Sequence, residues 1–218
     1  MDPHQLADGL LQYMMLVVLL TFHELGHAWT AMKCGDNTAY NQGRVSLNPL
    51  VHFDPIGTVI LPLAAIFLPF GVSRFIIGWA KPVPVNPYNL NHPRRDDILV
   101  TLAGPGMNLV LAILLVGLAR VLILFHFVDL TPMLFQMADL SLLLCFFNLL
   151  LPIPPLDGSQ ILRVLTGMSF ETYAHWARFG FFILIVLLQI PAVRVFLSFV
   201  TESSLALIVF CFGFPPMI

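Results

Sequence analysis

The run His23-Glu24-Leu25-Gly26-His27 sets two imidazoles four residues apart, with a carboxylate beside the first. On a helix, positions four apart share one face, separated by a turn of about 5.4 Å. Two imidazoles at that spacing can chelate one zinc ion, and the adjacent Glu can take a proton from a water activated at the metal. Neutral imidazole is a good borderline ligand, and a carboxylate beside a metal is a natural general base. A pattern this short arises by chance in soluble chains. Here it stands inside an apolar run, where each ionisable group costs roughly 2.5–3.5 kcal/mol on insertion scales and is functional by default.

A catalytic zinc takes three protein ligands and keeps one position open. Among the other histidines, His4 and His92 lie in polar flanks, His126 near the end of a span and His175 before another. His52 lies in a loop on the appropriate side and reads first as a loop-fixing residue, but it stays a candidate. So does Asp157, in Pro152-Ile153-Pro154-Pro155-Leu156-Asp157-Gly158, directly after an apolar span. On local residues alone, Asp157-Gly158 reads first as a turn.

The elements that must position these groups are membrane spans. Of the 218 residues, 58% are hydrophobic and 10% charged, where a soluble domain carries about a quarter charged. The apolar residues form runs near the roughly 20 residues that cross a hydrocarbon core. The expected spans are 10–32, 98–128, 133–151 and 176–199, with a short final one at 205–214. Residues 153–173 read as a loop with some helix. The run 56–70 is only about 15 residues long and holds Pro62 and Pro69, so it is expected to dip in and return. Basic residues gather in 32–97 and after Leu151, which places those stretches in the cytoplasm and the N-terminus outside. The first run follows no basic n-region and is expected to belong to the mature fold. The net charge of −2 and the absence of a basic stripe argue against nucleic acid. Cys34, Cys145 and Cys211 lack metal-ligand spacing and imply no disulfide framework.

Taken together, these residues resemble the site-2 protease family, in its small prokaryotic branch without a PDZ domain. The matching blocks are His23 to His27, Gly43-Arg44 with Asn48-Pro49, Asp54-Pro55-Ile56-Gly57-Thr58, the stretch Gly78 to Pro87, Ala103 to Asn108, and Asn148 through Leu156-Asp157-Gly158. They cover residues 10 to 165 in order. The resemblance implies one zinc per chain held by His23, His27 and Asp157, with Glu24 as general base and Asn148 near the metal, binding substrate or oxyanion. One departure stands out. Three leucines separate Asn148 from Pro152 where the family has two residues, which turns Asn148 by about 100° on a helix.

The sequence is therefore read as an all-α polytopic membrane protein. Five or six transmembrane helices and a re-entrant or extended loop form a single domain over 1–218, with a catalytic core at 10–165 and additional helices at 176–214. Its expected activity is hydrolysis of transmembrane protein substrates in the cell membrane, near the cytoplasmic side. Pro82 and Pro84 silence one edge of an extended stretch 79–86, so the other edge is expected to accept an unwound substrate. The rival readings are a non-proteolytic zinc-binding membrane protein and a pseudoprotease that grips transmembrane clients.

Overall fold

A computed structural model describes residues 3–67 and 78–214. The chain divides into two compact units, Met1–Asp96 and Asp97–Ile218.

The first unit is built on α1, Pro3–Lys33. It begins well before the expected span, because Pro3 suits a first helical position and nothing in His4 to Gly9 stops a helix. It ends at a left-handed glycine. Gly35 has φ 104°, and the Asp36 N–H reaches back to the Ala31 carbonyl at 2.9 Å, so the last turn closes on a residue without a Cβ. A Cβ at Gly35 would also meet Asn91 Oδ1 at 2.8 Å. Short pieces follow: α2 (Thr38–Asn41), a 3-10 turn Pro49–His52 and a π-helical stretch Pro55–Ile60 that runs into α3 (Leu61–Phe67). Asn48 and Asp54 cap the last two starts with their side-chain oxygens, each just before a proline. At a helical rise, Pro55–Phe67 extends about 20 Å, short of the roughly 30 Å hydrocarbon core. Residues 68–70 of the expected dipping element, and Arg74, lie outside the described residues.

The remaining elements are helical. They are α4 (Pro93–Leu124), α5 (Thr131–Leu150), α6 (Asp157–Thr166), α7 (Phe170–Gln189) and α8 (Pro191–Cys211). With α1, the four long ones make five helices long and apolar enough to cross a membrane, and there is no strand among the described residues. The expected spans at 98–128 and 133–151 appear within a few residues. The C-terminal pair does not. The chain breaks at Ile190, extended at ψ 115°, before Pro191, so the expected boundaries 176–199 and 205–214 become 170–189 and 191–211. Pro191 lacks an N–H and suits a first helical position, which makes it a start rather than an interior residue. Upstream, Ser169 Oγ accepts the Thr172 N–H and starts α7 early.

In the second unit α5 packs on α8 and α6, and α7 packs on α8. One apolar cluster joins Ala112, Val116, Ala138, Leu142 and Val209; another joins Leu151, Ile153, Leu156, Leu184 and Leu197. A buried hydrogen bond from Ser141 Oγ to the Asn108 carbonyl, 2.8 Å, ties α5 to α4. Small residues permit that approach and a hydroxyl secures it.

Candidate metal centre

His23, Glu24 and His27 are buried on α1. The helical spacing brings the two imidazoles edge to face, with their Nε2 atoms 3.1 Å apart. Two nitrogens bound to one tetrahedral zinc at about 2.0–2.1 Å would lie about 3.3 Å apart. The pair therefore fits one ion with almost no movement. The same separation also suits an N–H···N bond between neutral rings, so the pair alone does not decide. What sets it apart is the buried carboxylate next to it.

Glu24 is held from outside its helix. Its Oε2 accepts the Val83 N–H at 3.0 Å. Residues 78–86 run extended without a regular partner strand, and alternate N–H groups point back into the same unit. Trp79 donates to the Gly57 carbonyl at 3.1 Å, and Lys81 donates to the His52 carbonyl at 2.8 Å. Thr58 Oγ1 donates to the Trp79 carbonyl, and Arg44 donates to the carbonyls of Lys81 and Pro82. The segment ends where Asn86 N–H meets Asp36 Oδ2 at 2.7 Å. This corrects the expectation for 79–86. The edge without prolines faces inward at Lys81 and Val83, and its N–H groups are already used by His52 and Glu24.

Glycine makes the fit possible. A Cβ at Gly57 would fall 2.4 Å from the Trp79 ring, and one at Gly78 would fall 2.7 Å from the Gly57 carbonyl. His52 is a fixing residue here. Its Nε2 donates to the Ser46 carbonyl at 2.9 Å, which commits that nitrogen. Burial lowers the pKa of His52, against the pull of the Ser46 carbonyl, and the charge of Arg44 lowers it further. Burial also lowers the pKa of the Arg44 guanidinium, which the charge of Glu24 opposes. Asp36 is fully buried. Burial alone would raise its pKa, but donors from Thr38, Asn86 and Asn89 outweigh it and hold the carboxyl below its usual range.

The second unit carries Asp157 and Asn148. Asp157 is the first residue of α6, after an extended Leu156, so Asp157-Gly158 opens a helix and not the turn that its local residues alone suggest. An acid belongs there by the helix dipole. Gly158 is required by crowding: a Cβ would lie 2.5 Å from the Leu149 carbonyl and 2.8 Å from that of Leu151. The preceding Pro154–Pro155 bond is cis. Gly180 of α7 lies against Pro154 so closely that a Cβ would sit 2.1 Å from its carbonyl oxygen. Below the start of α6, Arg163 and Asp97 form a buried ion pair. The guanidinium also takes Gln160 Oε1 and lies 4.1 Å over the Phe170 ring. Asn148 sits on regular helix and donates to the Leu144 carbonyl at 2.9 Å. No bulge in α5 absorbs the extra leucine.

Sequence reasoning took His52 as a loop-fixing residue but missed Arg44 as a residue that holds the segment beside Glu24. The proline alternation at 82 and 84 was the available signal, because it marked which edge could bond.

The sequence model of peptidase family M50 matches residues 12–129, more than half of the chain. The chain belongs to peptidase family M50. This is the site-2 protease family; the matched stretch contains His23, Glu24, His27 and the 78–86 segment and ends before Asn148 and Asp157. The chain is 36% identical over 184 residues to "Putative zinc metalloprotease YwhC" of Bacillus subtilis, covering 81% of this chain and 78% of that protein. It is 35% identical over 186 residues to "Putative zinc metalloprotease Rip2" of Mycolicibacterium smegmatis, covering 80% of this chain and 65% of that protein. A protein of the same name from Mycobacterium tuberculosis is 34% identical over 183 residues, covering 82% and 66%. The chain thus spans about two thirds of the mycobacterial relatives' length. No solved structure matches. Family and helices together make this M50 chain a multi-pass membrane protein, and the relatives support a metalloprotease with zinc as its metal.

Proposed function

We propose that this M50 protein is an intramembrane zinc metalloprotease that hydrolyses peptide bonds in transmembrane protein substrates. The observation that carries this reading is the convergence of His23 and His27 at 3.1 Å beside a buried, oriented Glu24, inside a helix long enough to cross a membrane. Asp157 is proposed as the third ligand of a single zinc ion. Two imidazole nitrogens and a carboxylate oxygen form a donor set compatible with a catalytic zinc. The cell membrane is the proposed location, with the N-terminus outside and the site toward the cytoplasm, where the basic loops are expected.

The chemistry supplied by a bound zinc is Lewis acidity, which makes water a nucleophile near neutral pH and polarises a carbonyl. The rest falls to the chain. Glu24 presents Oε1 to the attacking water while Oε2 is occupied by Val83. It accepts the water's proton and returns it to the leaving amine. Asn148 is proposed to help with the oxyanion, provided its amide leaves the Leu144 carbonyl. A substrate helix must unwind before attack, so segments with helix-weakening residues should be cut first.

Purified full-length protein with zinc and a transmembrane reporter substrate tests this. Glu24→Gln should keep the metal and lose cleavage by about 10²–10⁴-fold, the usual contribution of a general base. Asp157→Ala should lower bound zinc below one equivalent. Full cleavage by Glu24→Gln would remove Glu24 as the general base, and no cleavage by the zinc-loaded wild type would leave a zinc-binding membrane protein without proteolysis.

A further inference from the structure

Arg44 is buried, yet among the described residues its hydrogen bonds go to main-chain carbonyls and not to an acidic side chain. Both terminal nitrogens go to main-chain carbonyls, Nη2 to Lys81 and Nη1 to Pro82 at 3.3 Å. A buried guanidinium that grips two consecutive carbonyls fixes the peptide plane between them, since its fork is planar and rigid. The next N–H along the chain is that of Val83, because Pro82 has none. That N–H is the one on Glu24 Oε2. Pro82 narrows the freedom between grip and contact further by locking its own φ. The Lys81 N–H on the His52 carbonyl fixes the other side of the same residue.

We propose that Arg44 is a positioning residue for the reaction, aiming the Glu24 carboxylate through the Lys81–Val83 backbone. This rests on Glu24 acting as the general base. With Oε2 held by the Val83 N–H, rotation of the carboxylate is restricted and Oε1 is left to act on water. Loss of the clamp should leave the histidines and zinc in place but let Glu24 rotate. A misplacement of about 1 Å at a reacting group costs on the order of 10²-fold in rate.

The test uses the full-length zinc-loaded protein and three readouts: zinc content, kcat against KM for the reporter substrate, and hydrogen–deuterium exchange over 79–86. Arg44→Gln should keep one zinc, lose about 10²-fold in kcat with KM within twofold, and exchange faster at Val83. Arg44→Lys keeps the charge but not the fork and should stay at least tenfold down. Val83→Pro, which removes the N–H, should lose a similar factor, and the double variant should lose no more than the worse single one. Unchanged exchange at Val83 in Arg44→Gln would overturn the clamp, as would full kcat in Arg44→Lys or multiplying losses in the double variant. Should the wild type cleave nothing, the protease reading falls by itself. Exchange at Val83 still decides whether Arg44 holds the segment on Glu24.

Discussion

Around His23 and His27 the chain works with main-chain donors and acceptors. Val83 N–H, the Lys81 and Pro82 carbonyls, and the carbonyls of His52 and Gly57 are fastened to buried polar groups or to each other. Around Asp157 the chain works by contact. Gly158 lies under the end of α5, Gly180 against Pro154, and a buried ion pair stands beneath α6. The difference follows from the local backbone. The first region is irregular at the end of a membrane helix, so its N–H and C=O groups need partners that no helix supplies. The second consists of helix ends that satisfy most of their own groups and need shape. A hydrogen-bonded region fails when a donor or its buried side-chain partner is removed, and here also when Gly57 or Gly78 gains a methyl. A contact region fails when a methyl is added.

That contrast can be broken at three places. The largest effect is expected at the buried ion pair of the contact region. Asp97→Ala leaves Arg163 buried without its carboxylate, and loss of one partner of a buried pair costs about 3–5 kcal/mol. Thermal unfolding in detergent should register it, and a loss below about 1 kcal/mol would mean the pair is not structurally important. Next comes Gly180→Ala, where the added carbon meets the Pro154 carbonyl. Overpacking of this kind costs about 1–3 kcal/mol, and an unchanged unfolding midpoint would remove contact as the rule there. The smallest effect concerns Asp36 and acid. Its pKa is lower folded than unfolded, so its contribution is complete above about pH 4 and is lost as pH falls through the folded value. Stability measured from pH 7 down to 3 should therefore fall more steeply in the wild type than in Asp36→Asn; parallel curves would show that the carboxylate contributes nothing.

The helices were legible because apolar runs of spanning length have few other meanings, and His23, Glu24 and His27 because a polar triad inside such a run is costly. The boundary at Pro191 falls inside the expected span 176–199, since in an apolar stretch a proline suits a helix start as well as an interior kink, and both sides are apolar. Asp157-Gly158 was first read as a turn because Asp and Gly serve both purposes; only the crowding of Gly158 against α5 separates them. Arg44 was visible only as half of the Gly43-Arg44 block, without its role. Its partners are backbone carbonyls, which every sequence has, and the 37 residues to Lys81 carry no periodicity that would link them.

The hold on Trp79, Lys81 and Val83 uses N–H groups that any residue except proline provides. Natural variation can therefore rewrite the side chains this stretch turns outward, one at a time, without disturbing how the carboxylate behind it is aimed. Related chains could diverge in what they engage there while sharing one cutting geometry. A stray proline at position 81 or 83 would be the change such a lineage could least survive.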